Sequence, residues 1–354
     1  MKILVDDLCV ADVVYIPVRD MPTDGSSGFW KLFRRVSSEL VKGKYDLVHS
    51  HGFISGMCSA IPAFFRRTPH LMTSHETLND KQFVGLKGRI QLFGMLLLFG
   101  LIDKVHSVSR DASDNLLKYF PALAKKEGKC IVIPNGIEVE RFLEAEPRDL
   151  RVELGLGGDV FLIGFFGRFM APKGFRYLVD AIDILRKVSD LPKKPLVLTF
   201  GDGGFIREEK QVIRERGMEE YFHFLPFAPN VAGTLKGLDV VAMPSLSEAC
   251  GLLAMEAMVC GVPLIGSDCI GLREVLQGTP AIVVPKADAA ALAQALAREL
   301  EAGSRDLFLK YREKAPTHYD VRITSQSILS LYECMAGCGK ADSGSTLPET
   351  AGPT

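Results

Sequence analysis

The 354-residue chain lacks the sequence features of a disulfide-bonded, secreted or membrane-spanning protein. Its eight cysteines are scattered, and none of the close pairs has the C-x-x-C spacing of a zinc site. No signal-peptide segment opens the sequence. The longest apolar run, Leu92 to Ile102, is shorter than the roughly 20 residues that cross a bilayer, so we interpret it as a buried helix. These absences predict a protein of the reducing cytoplasm.

The chain also lacks an excess of charge of either sign. Lys and Arg number 42 against 43 Asp and Glu, so the net charge of -1 gives no sequence-wide reason to expect nucleic acid as a partner. No strand is followed by G-x-G-x-x-G with an acidic residue about 20 positions later, which argues against a nicotinamide dehydrogenase. The length exceeds what one hydrophobic core usually supports, so we expect two domains.

Short β-branched runs alternate with helical patterns in both halves, which is typical of an α/β fold with parallel sheets. We place the domain boundary near residue 150. This gives a first domain at 1–150, a second at 151–317, a helix at 318–338 that crosses back to the first domain, and a disordered tail at 339–354. The predicted strands are Tyr45–His49, His70–Thr73, Lys104–Val108, Cys130–Ile133, Val160–Phe166, Leu196–Phe200, Tyr221–Leu225, Asp239–Ala242, Val262–Gly266 and Ala281–Val284.

The most informative segment follows the predicted strand Asp239–Ala242. Glu256 is the only charge between Glu248 and Asp268, and it lies in an apolar helix. A carboxylate there is costly unless it is hydrogen-bonded, and the two hydroxyls of a ribose offer suitable donors. The helix start at Gly251, Leu252 and Leu253 presents free backbone N–H groups and the positive end of a helix dipole, which suits a phosphate.

A second segment runs from a strand through a turn into a helix. Gly167 permits close approach of the backbone, and Arg168 and Lys173 flank the turn, so the two cations can neutralise a diphosphate without a metal ion. A surface turn with two solvated cations explains this segment equally well. The glycine turn at 201–204 is a weak signal, because such turns commonly follow strands.

Three histidines stand at strand ends in the first half: His49, His51 and His75. A lone histidine is more often structural than functional, but the ends of parallel strands are where ligands bind. We favour His75 as a functional residue over His51. Ser109 is interpreted first as a helix cap and second as a residue of the site.

Together these turns resemble the C-terminal domain of the family-four retaining glycosyltransferases. That family's Glu, seven residues, Glu pattern is met by Glu248 and Glu256, and its Gly-Arg and Lys-Gly turn by residues 167–168 and 173–174. Its Gly-Asp-Gly turn matches residues 201–203, and residues 132–142 look like the segment before the interdomain linker. The resemblance covers residues 44 to 335 and implies the GT-B fold, two Rossmann-like domains with parallel sheets facing across a cleft.

The resemblance also implies roles for individual residues. Glu248 and His75 would be the catalytic residues, Glu248 holding hydroxyls of the transferred sugar, and His51 and Ser109 would lie on the acceptor side. The donor nucleotide would be bound by Arg168, Lys173, Glu256, Gly167, Gly251, Leu252 and Leu253. The chain has Ala249-Cys250 where the family usually has Gly-Phe.

The implied activity is transfer of a sugar from a nucleotide-diphosphate-sugar donor to a hydroxyl acceptor, either a glycan or a lipid-linked molecule. The sugar would keep its configuration, and neither cofactor nor metal is expected. Two alternatives stay open: a non-catalytic nucleotide-sugar binder or partner subunit, and a nucleotide-sugar epimerase. We also expect the family's first strand-loop-helix unit to be missing, because the first glycine is Gly25.

Two basic-aromatic segments, residues 29–35 and 64–67, allow two interpretations. The favoured one is ordinary amphipathic helices with solvated cations. The other is peripheral association with an anionic membrane, which would place the protein at the inner face of the membrane.

Overall fold

The computed structural model describes residues 26–189 and 191–337, which form two compact units. The first takes the described residues up to Asn135 and those from Arg322 onward, and the second runs from Gly136 to Val321. The predicted boundary near residue 150 thus falls inside the second unit. Side-chain contacts explain this position: Arg148 Nη1 donates to Thr234 Oγ1 at 2.9 Å, and Arg151 Nη2 donates to Asp239 Oδ2 at 2.5 Å.

The first unit contains a four-stranded parallel sheet in the order β1-β2-β3-β4. Its strands are β1 (Val48–His51), β2 (His70–Ser74), β3 (Lys104–Ser107) and β4 (Cys130–Val132). Its helices before the second unit are α1 (Ser26–Lys42), α2 (Phe53–Arg66), α3 (Gly85–Leu101) and α4 (Arg110–Tyr119).

The second unit contains a six-stranded parallel sheet in the order β10-β9-β8-β5-β6-β7. The strands are β5 (Val160–Phe166), β6 (Lys194–Phe200), β7 (Phe222–Leu225), β8 (Val240–Met243), β9 (Leu264–Ser267) and β10 (Ile282–Val284). Counted within this unit the order is 3-2-1-4-5-6, which is the Rossmann arrangement. The helices are α5 (Val139–Glu144), α6 (Leu150–Glu153), α7 (Phe175–Leu185), α8 (Ile206–Glu215), α9 (Val231–Lys236), α10 (Leu252–Cys260), α11 (Leu272–Leu276), α12 (Ala289–Ala302), α13 (Arg305–Arg312) and α14 (Ala315–Tyr319).

The last described helix, α15 (Val321–Ala336), is grouped with the first unit from Arg322 onward. Ile328 and Leu331 of α15 are buried against Leu71 and Ile133 of that unit. The chain enters and leaves the second unit at neighbouring positions, since Ile137 N donates to Tyr319 O at 2.7 Å. Val321 N donates to Ile137 O at 2.9 Å. Backbone hydrogen bonds therefore join the segment where the chain enters the second unit to the segment where it leaves.

The predicted α/β class with two parallel sheets is confirmed, and all ten predicted strands are present within a few residues of their predicted ends. The strands could be predicted because a strand buried on both faces is a nearly continuous apolar run in the sequence. Strands β8 and β9, for example, are buried along their whole length. Residues 1–25 and 338–354 lie outside the described part of the chain, and with them the N-terminal segment where we expect the family's first strand-loop-helix unit to be missing, and the predicted tail at 339–354.

The prediction of a buried helix at 92–102 is wrong in one respect. The helix exists as α3, but only Gly88, Met95 and Phe99 of it are buried, while its opposite face is apolar and exposed. The hydropathy of a segment indicates how apolar it is, but it does not indicate how many of its faces are buried against other elements. Within the described residues, no helix combines the length and the hydropathy that a bilayer-crossing segment needs.

Candidate functional site

The candidate site of the second unit lies where its strand order reverses. Strands β5 and β8 are neighbours, while the chain continues from β5 to β6 on one side and from β8 to β9 on the other. The loops leaving the carboxyl ends of β5 and β8 therefore diverge and open a crevice, the usual ligand site of such sheets. The turn with Arg168 and Lys173 follows β5, and the segment with Glu248 and Glu256 follows β8. The topology thus brings the predicted donor residues to one edge.

Gly174 holds these two loops together. Its φ of 66° is left-handed, and a Cβ at this position would lie 1.9 Å from the Pro244 carbonyl oxygen, so only glycine fits. Beside it, Leu246 N donates to Pro172 O at 2.8 Å. The β5 turn and the β8 loop are therefore fixed against each other by backbone contacts.

The two loops also meet through an ion pair. Lys173 Nζ donates to Glu248 Oε1 at 2.7 Å, and the buried hydroxyl of Ser245 donates to the same oxygen at 2.7 Å. The Glu248 side chain is only 12% exposed, so this carboxylate is shielded from water and its position is fixed. Both bonds use Oε1, which leaves Oε2 for a ligand hydroxyl.

Arg168 is arranged differently from Lys173. Its side chain is exposed, and within the described residues it forms no ion pair or hydrogen bond. Gly167, just before it, has a φ of 143° and donates from N to Phe200 O at 3.1 Å. A guanidinium beside an open turn can turn toward an anion without first breaking an ion pair.

The glycine turn after β6, a weak signal in the sequence, packs directly on the Gly167 turn. A Cβ at Gly201 would lie 2.2 Å from Gly167 O, and one at Gly203 would lie 2.5 Å from Phe169 N. Phe169 N also donates to Asp202 O at 3.0 Å. These glycines are therefore required for the close packing that supports the Gly167 turn.

Helix α10 begins at the same edge of the sheet. Its N-cap, Gly251, has a φ of 58°, a left-handed conformation that favours glycine. The N–H groups of Leu252 and Leu253 lie in the first turn, where a helix supplies no acceptor, and Leu252 is 40% exposed. The start of α10 thus presents donors and positive dipole to the crevice, as phosphate binding requires.

Glu256 lies one turn further along α10. Burial raises the pKa of its carboxyl to about 7, and the charge of Arg141 offsets this only in part. Within the described residues the carboxylate makes no hydrogen bond. A half-buried carboxyl with no partner can accept hydrogen bonds from ligand hydroxyls when it is ionised.

The strand ends of the first unit carry a pair of histidines. His51 ends β1, His75 follows β2, and their Nδ1 and Nε2 atoms are 3.0 Å apart with the rings stacked. Burial lowers the pKa of His51 to about 4 and that of His75 in the same direction. Both imidazoles are therefore neutral near pH 7, and the His51 ring fixes the orientation of His75.

A buried hydrogen-bonded chain lies behind this pair. His106 Nε2 contacts the Ile133 carbonyl at 2.8 Å, and because a carbonyl only accepts, that nitrogen carries the hydrogen. Thr73 then donates to His106 Nδ1 at 2.9 Å and accepts from His49 Nε2 at 2.6 Å, and His49 Nδ1 accepts from the Tyr332 hydroxyl. His49 is thus structural.

Sequence reasoning missed most of this chain, because nothing local to Thr73, His106 or Tyr332 distinguishes them. Ser109 is the N-cap of α4: it is buried, and its hydroxyl accepts from Ala112 N at 3.0 Å. The first interpretation of Ser109, a helix cap, is therefore the observed one. In the described residues, no group of three or more His, Cys, Asp or Glu side chains is placed to hold a metal ion.

Two units with parallel sheets, the second in the Rossmann strand order with a ligand crevice at its strand reversal, are typical of the GT-B fold of glycosyltransferases. Two family models match the chain: Glycosyltransferase Family 4 over residues 6–141 and Glycosyl transferases group 1 over residues 160–302. The chain belongs to this glycosyltransferase family, as its motifs had indicated.

Similar proteins agree with this assignment. A D-inositol 3-phosphate glycosyltransferase of Arthrobacter sp. is 27% identical over 78% of this chain and 68% of its own length. Among solved structures, sucrose-phosphate synthase from Thermosynechococcus elongatus has a TM-score of 0.75 at 23% identity, covering 92% of this chain and 82% of that one. Anabaena HepE, in complex with UDP and glucose, has a TM-score of 0.74 at 22% identity, covering 87% and 81%.

Proposed function

We propose that this glycosyltransferase moves a sugar from a nucleotide-diphosphate-sugar donor to a hydroxyl of a glycan or lipid-linked acceptor. The sugar keeps its configuration, a point that rests on the family resemblance, and the reaction needs no metal. The observation that carries the proposal is the grouping around Glu248 and Lys173 at the strand reversal of the second unit.

The proposed chemistry follows from this grouping. The bond between the sugar carbon and the diphosphate oxygen breaks, the acceptor oxygen bonds to that carbon, and the acceptor proton leaves with the products. Charge develops on the diphosphate, where Lys173, Arg168 and the N–H groups at the start of α10 stabilise it. The two cations supply the charge that a metal would otherwise provide.

The carboxylates serve recognition in this proposal. Glu248 is fixed by Lys173 and Ser245 and presents its other oxygen to sugar hydroxyls. Glu256 accepts hydrogen bonds from both ribose hydroxyls, which supplies the partners that its carboxylate lacks among the described residues. In the first unit, His75 is proposed as the second catalytic residue, with His51 and Ser109 on the acceptor side.

Nucleotide binding tests the proposal most directly. Calorimetry would compare UDP, GDP and ADP, with a chelator present, on the wild type and on Glu256→Gln. UDP is the first choice, because the HepE complex contains it. We expect one nucleotide to bind, and affinity to fall by about tenfold or more in the variant, because charged hydrogen bonds contribute about 1.5–3 kcal/mol.

The matched control is Glu301→Gln, which changes an exposed glutamate on α12 and should bind like the wild type. Equal binding by wild type and Glu256→Gln would contradict the assigned ribose contact. Binding that is absent with the chelator and appears only when a divalent ion replaces it would contradict the metal-independent mechanism.

A further inference from the structure

Helix α3 carries a continuous apolar stripe on its solvent side. Leu86, Ile90, Phe93 and Leu97 are 75%, 63%, 62% and 58% exposed. Their spacing of four, three and four residues places them on one line along the helix. Exposed large apolar residues scattered singly are ordinary, but four in register on one helix face are not.

The stripe is distinct from the face that packs on the protein. Gly88, Met95 and Phe99, the buried residues of α3, lie on the opposite side, and Met95 and Phe99 belong to the core of the first unit. The helix is therefore apolar on two opposite sides, of which only one is covered. Gly94 and Gly100 have nothing within 4 Å of where a Cβ would stand, so the open side continues to the end of the helix.

Charge is distributed unevenly around the stripe. Lys81, Lys87 and Arg89 are exposed near the start of α3, and no Asp or Glu occurs from Lys81 to Ile102. Cations with long side chains beside an apolar face favour an anionic boundary between water and hydrocarbon, where the stems lie along the apolar region and the charges reach the surface.

The adjoining helix α2 has the same character. It packs against α3, contains no acidic residue, and exposes Phe65 beside Arg66 and Arg67. Phe65 is 78% exposed, although an aromatic ring of this size contributes strongly when buried.

We propose that α3 lies in the surface of an anionic lipid bilayer, with Leu86, Ile90, Phe93 and Leu97 inserted below the headgroups and Lys81, Lys87 and Arg89 on anionic headgroups. This goes beyond the proposed function, which names no membrane contact, by assigning such a contact to helix α3. A membrane contact is compatible with a lipid-linked acceptor, but the inference is drawn from the exposed surface of α3 and does not depend on the acceptor. A second copy of the chain is a poorer partner, because pairing two α3 helices would bring Lys87 and Arg89 of both together, and α3 itself contains no carboxylate to offset them.

Vesicle sedimentation tests this. Purified full chain would be mixed with vesicles of phosphatidylglycerol and phosphatidylcholine, or of phosphatidylcholine alone, without nucleotide. We expect binding to the anionic vesicles and at least about tenfold weaker binding when Leu86, Ile90, Phe93 and Leu97 are all changed to Gln, which keeps helix propensity while removing apolar area. Changing Lys87 and Arg89 to Gln should weaken binding and its salt dependence.

The matched control changes four exposed apolar residues of the second unit to Gln and should bind vesicles like the wild type: Val188, Phe205, Phe227 and Leu307. Nucleotide calorimetry on the stripe variant would show that the donor site is intact, which separates this inference from the proposed function. The proposal would be overturned if the wild type did not bind anionic vesicles, or if the stripe variant bound them as strongly as the wild type. A wild-type dimer in gel filtration that the stripe variant abolishes would also overturn it, if neither binds vesicles.

Discussion

Glu256 combines two properties that a binding site needs: it is costly to ionise in the free protein and has acceptors to offer a ligand. Burial raises its pKa to about 7, so the unliganded carboxyl is largely protonated below that pH. Ribose hydroxyls donate best to the ionised form. Nucleotide binding and loss of this proton are therefore coupled.

We predict that nucleotide affinity of the wild type rises as pH increases toward about 7 and levels off above it, by up to about tenfold per pH unit at the acid end. In Glu256→Gln the slope should shrink to that of the nucleotide phosphate alone. Calorimetry across this range checks it, with Glu301→Gln expected to follow the wild type. Parallel slopes in both variants would show that Glu256 does not titrate with binding.

Stability should respond in the opposite direction. The folded-state pKa of Glu256 is raised above its usual 4.5, so the native state holds a proton that the unfolded state releases, and stability falls as pH rises from about 4.5 to 7. Above pH 7, Glu256→Gln should therefore unfold no more easily than the wild type in urea. A marked loss of stability would mean that the carboxylate supports the fold.

Gly174 offers a test of the contact between the two loops. We predict that Gly174→Ala destabilises the second unit by about 3 kcal/mol or more, because a left-handed alanine costs roughly 1–2 kcal/mol and the Cβ also meets the Pro244 carbonyl. Gly155→Ala is the control: its φ of 63° is equally left-handed, but nothing lies within 4 Å. Equal losses in urea unfolding would show that the close contact relaxes freely.

The sequence predicted that the turn after β5 and the segment after β8 lie together, because each follows a strand and the Rossmann order brings those strand ends together. It did not predict the pairing of Lys173 with Glu248, which are 75 positions apart, or of His49 with Tyr332, which are 283 apart. Such pairings depend on packing that no local pattern records.

At the scale of elements, the hydrophobic pattern of the sequence predicted where helices and strands lie more reliably than it predicted which of their faces are buried. Strand β5 has the predicted bounds because a run of apolar residues ended by Gly167 has few alternatives. Helix α3, at Gly85–Leu101, overlaps the helix predicted at 92–102, but its burial was predicted wrongly, because neighbouring elements decide how many faces of a helix are covered.

Helix α15 provides an element-scale prediction. Leu331 is 3% exposed among Leu71, Ile133 and Ile328, so Leu331→Ala should cost about 2–5 kcal/mol. The loss should appear as faster amide hydrogen exchange in β1–β4 and not in β5–β10. Leu307→Ala, at an exposed position of α13, is the matched control. Equal loss of protection in both sheets would show that α15 stabilises more than the first unit.

At the scale of the whole molecule, the two units should respond differently to acid. Burial lowers the pKa values of His51, His70 and His106 to about 4, below their usual 6.5. Between about pH 6.5 and 4, these histidines bind protons in the unfolded first unit but not in the folded one. The free energy of unfolding of the first unit therefore decreases as pH falls through this range. In the second unit, Glu256 acts in the opposite sense over nearly the same range.

We predict that lowering the pH from 7 to 5 reduces the melting temperature of the first unit by about 5 °C or more and changes that of the second unit less. Hydrogen exchange during heating can follow each sheet separately. His51→Asn should reduce the shift, whereas His223→Asn, on β7 of the second unit, should not. A common shift of both sheets would contradict this difference.

The backbone bonds between Ile137 and its partners Tyr319 and Val321 make the ends of the second unit neighbours. A segment whose ends meet can be exchanged between relatives as a cassette, cut at two adjacent points, without changing the span its host must bridge. Under the proposed function, the choice of donor would travel with residues 136–321, while the acceptor preference would stay with the first unit of the host.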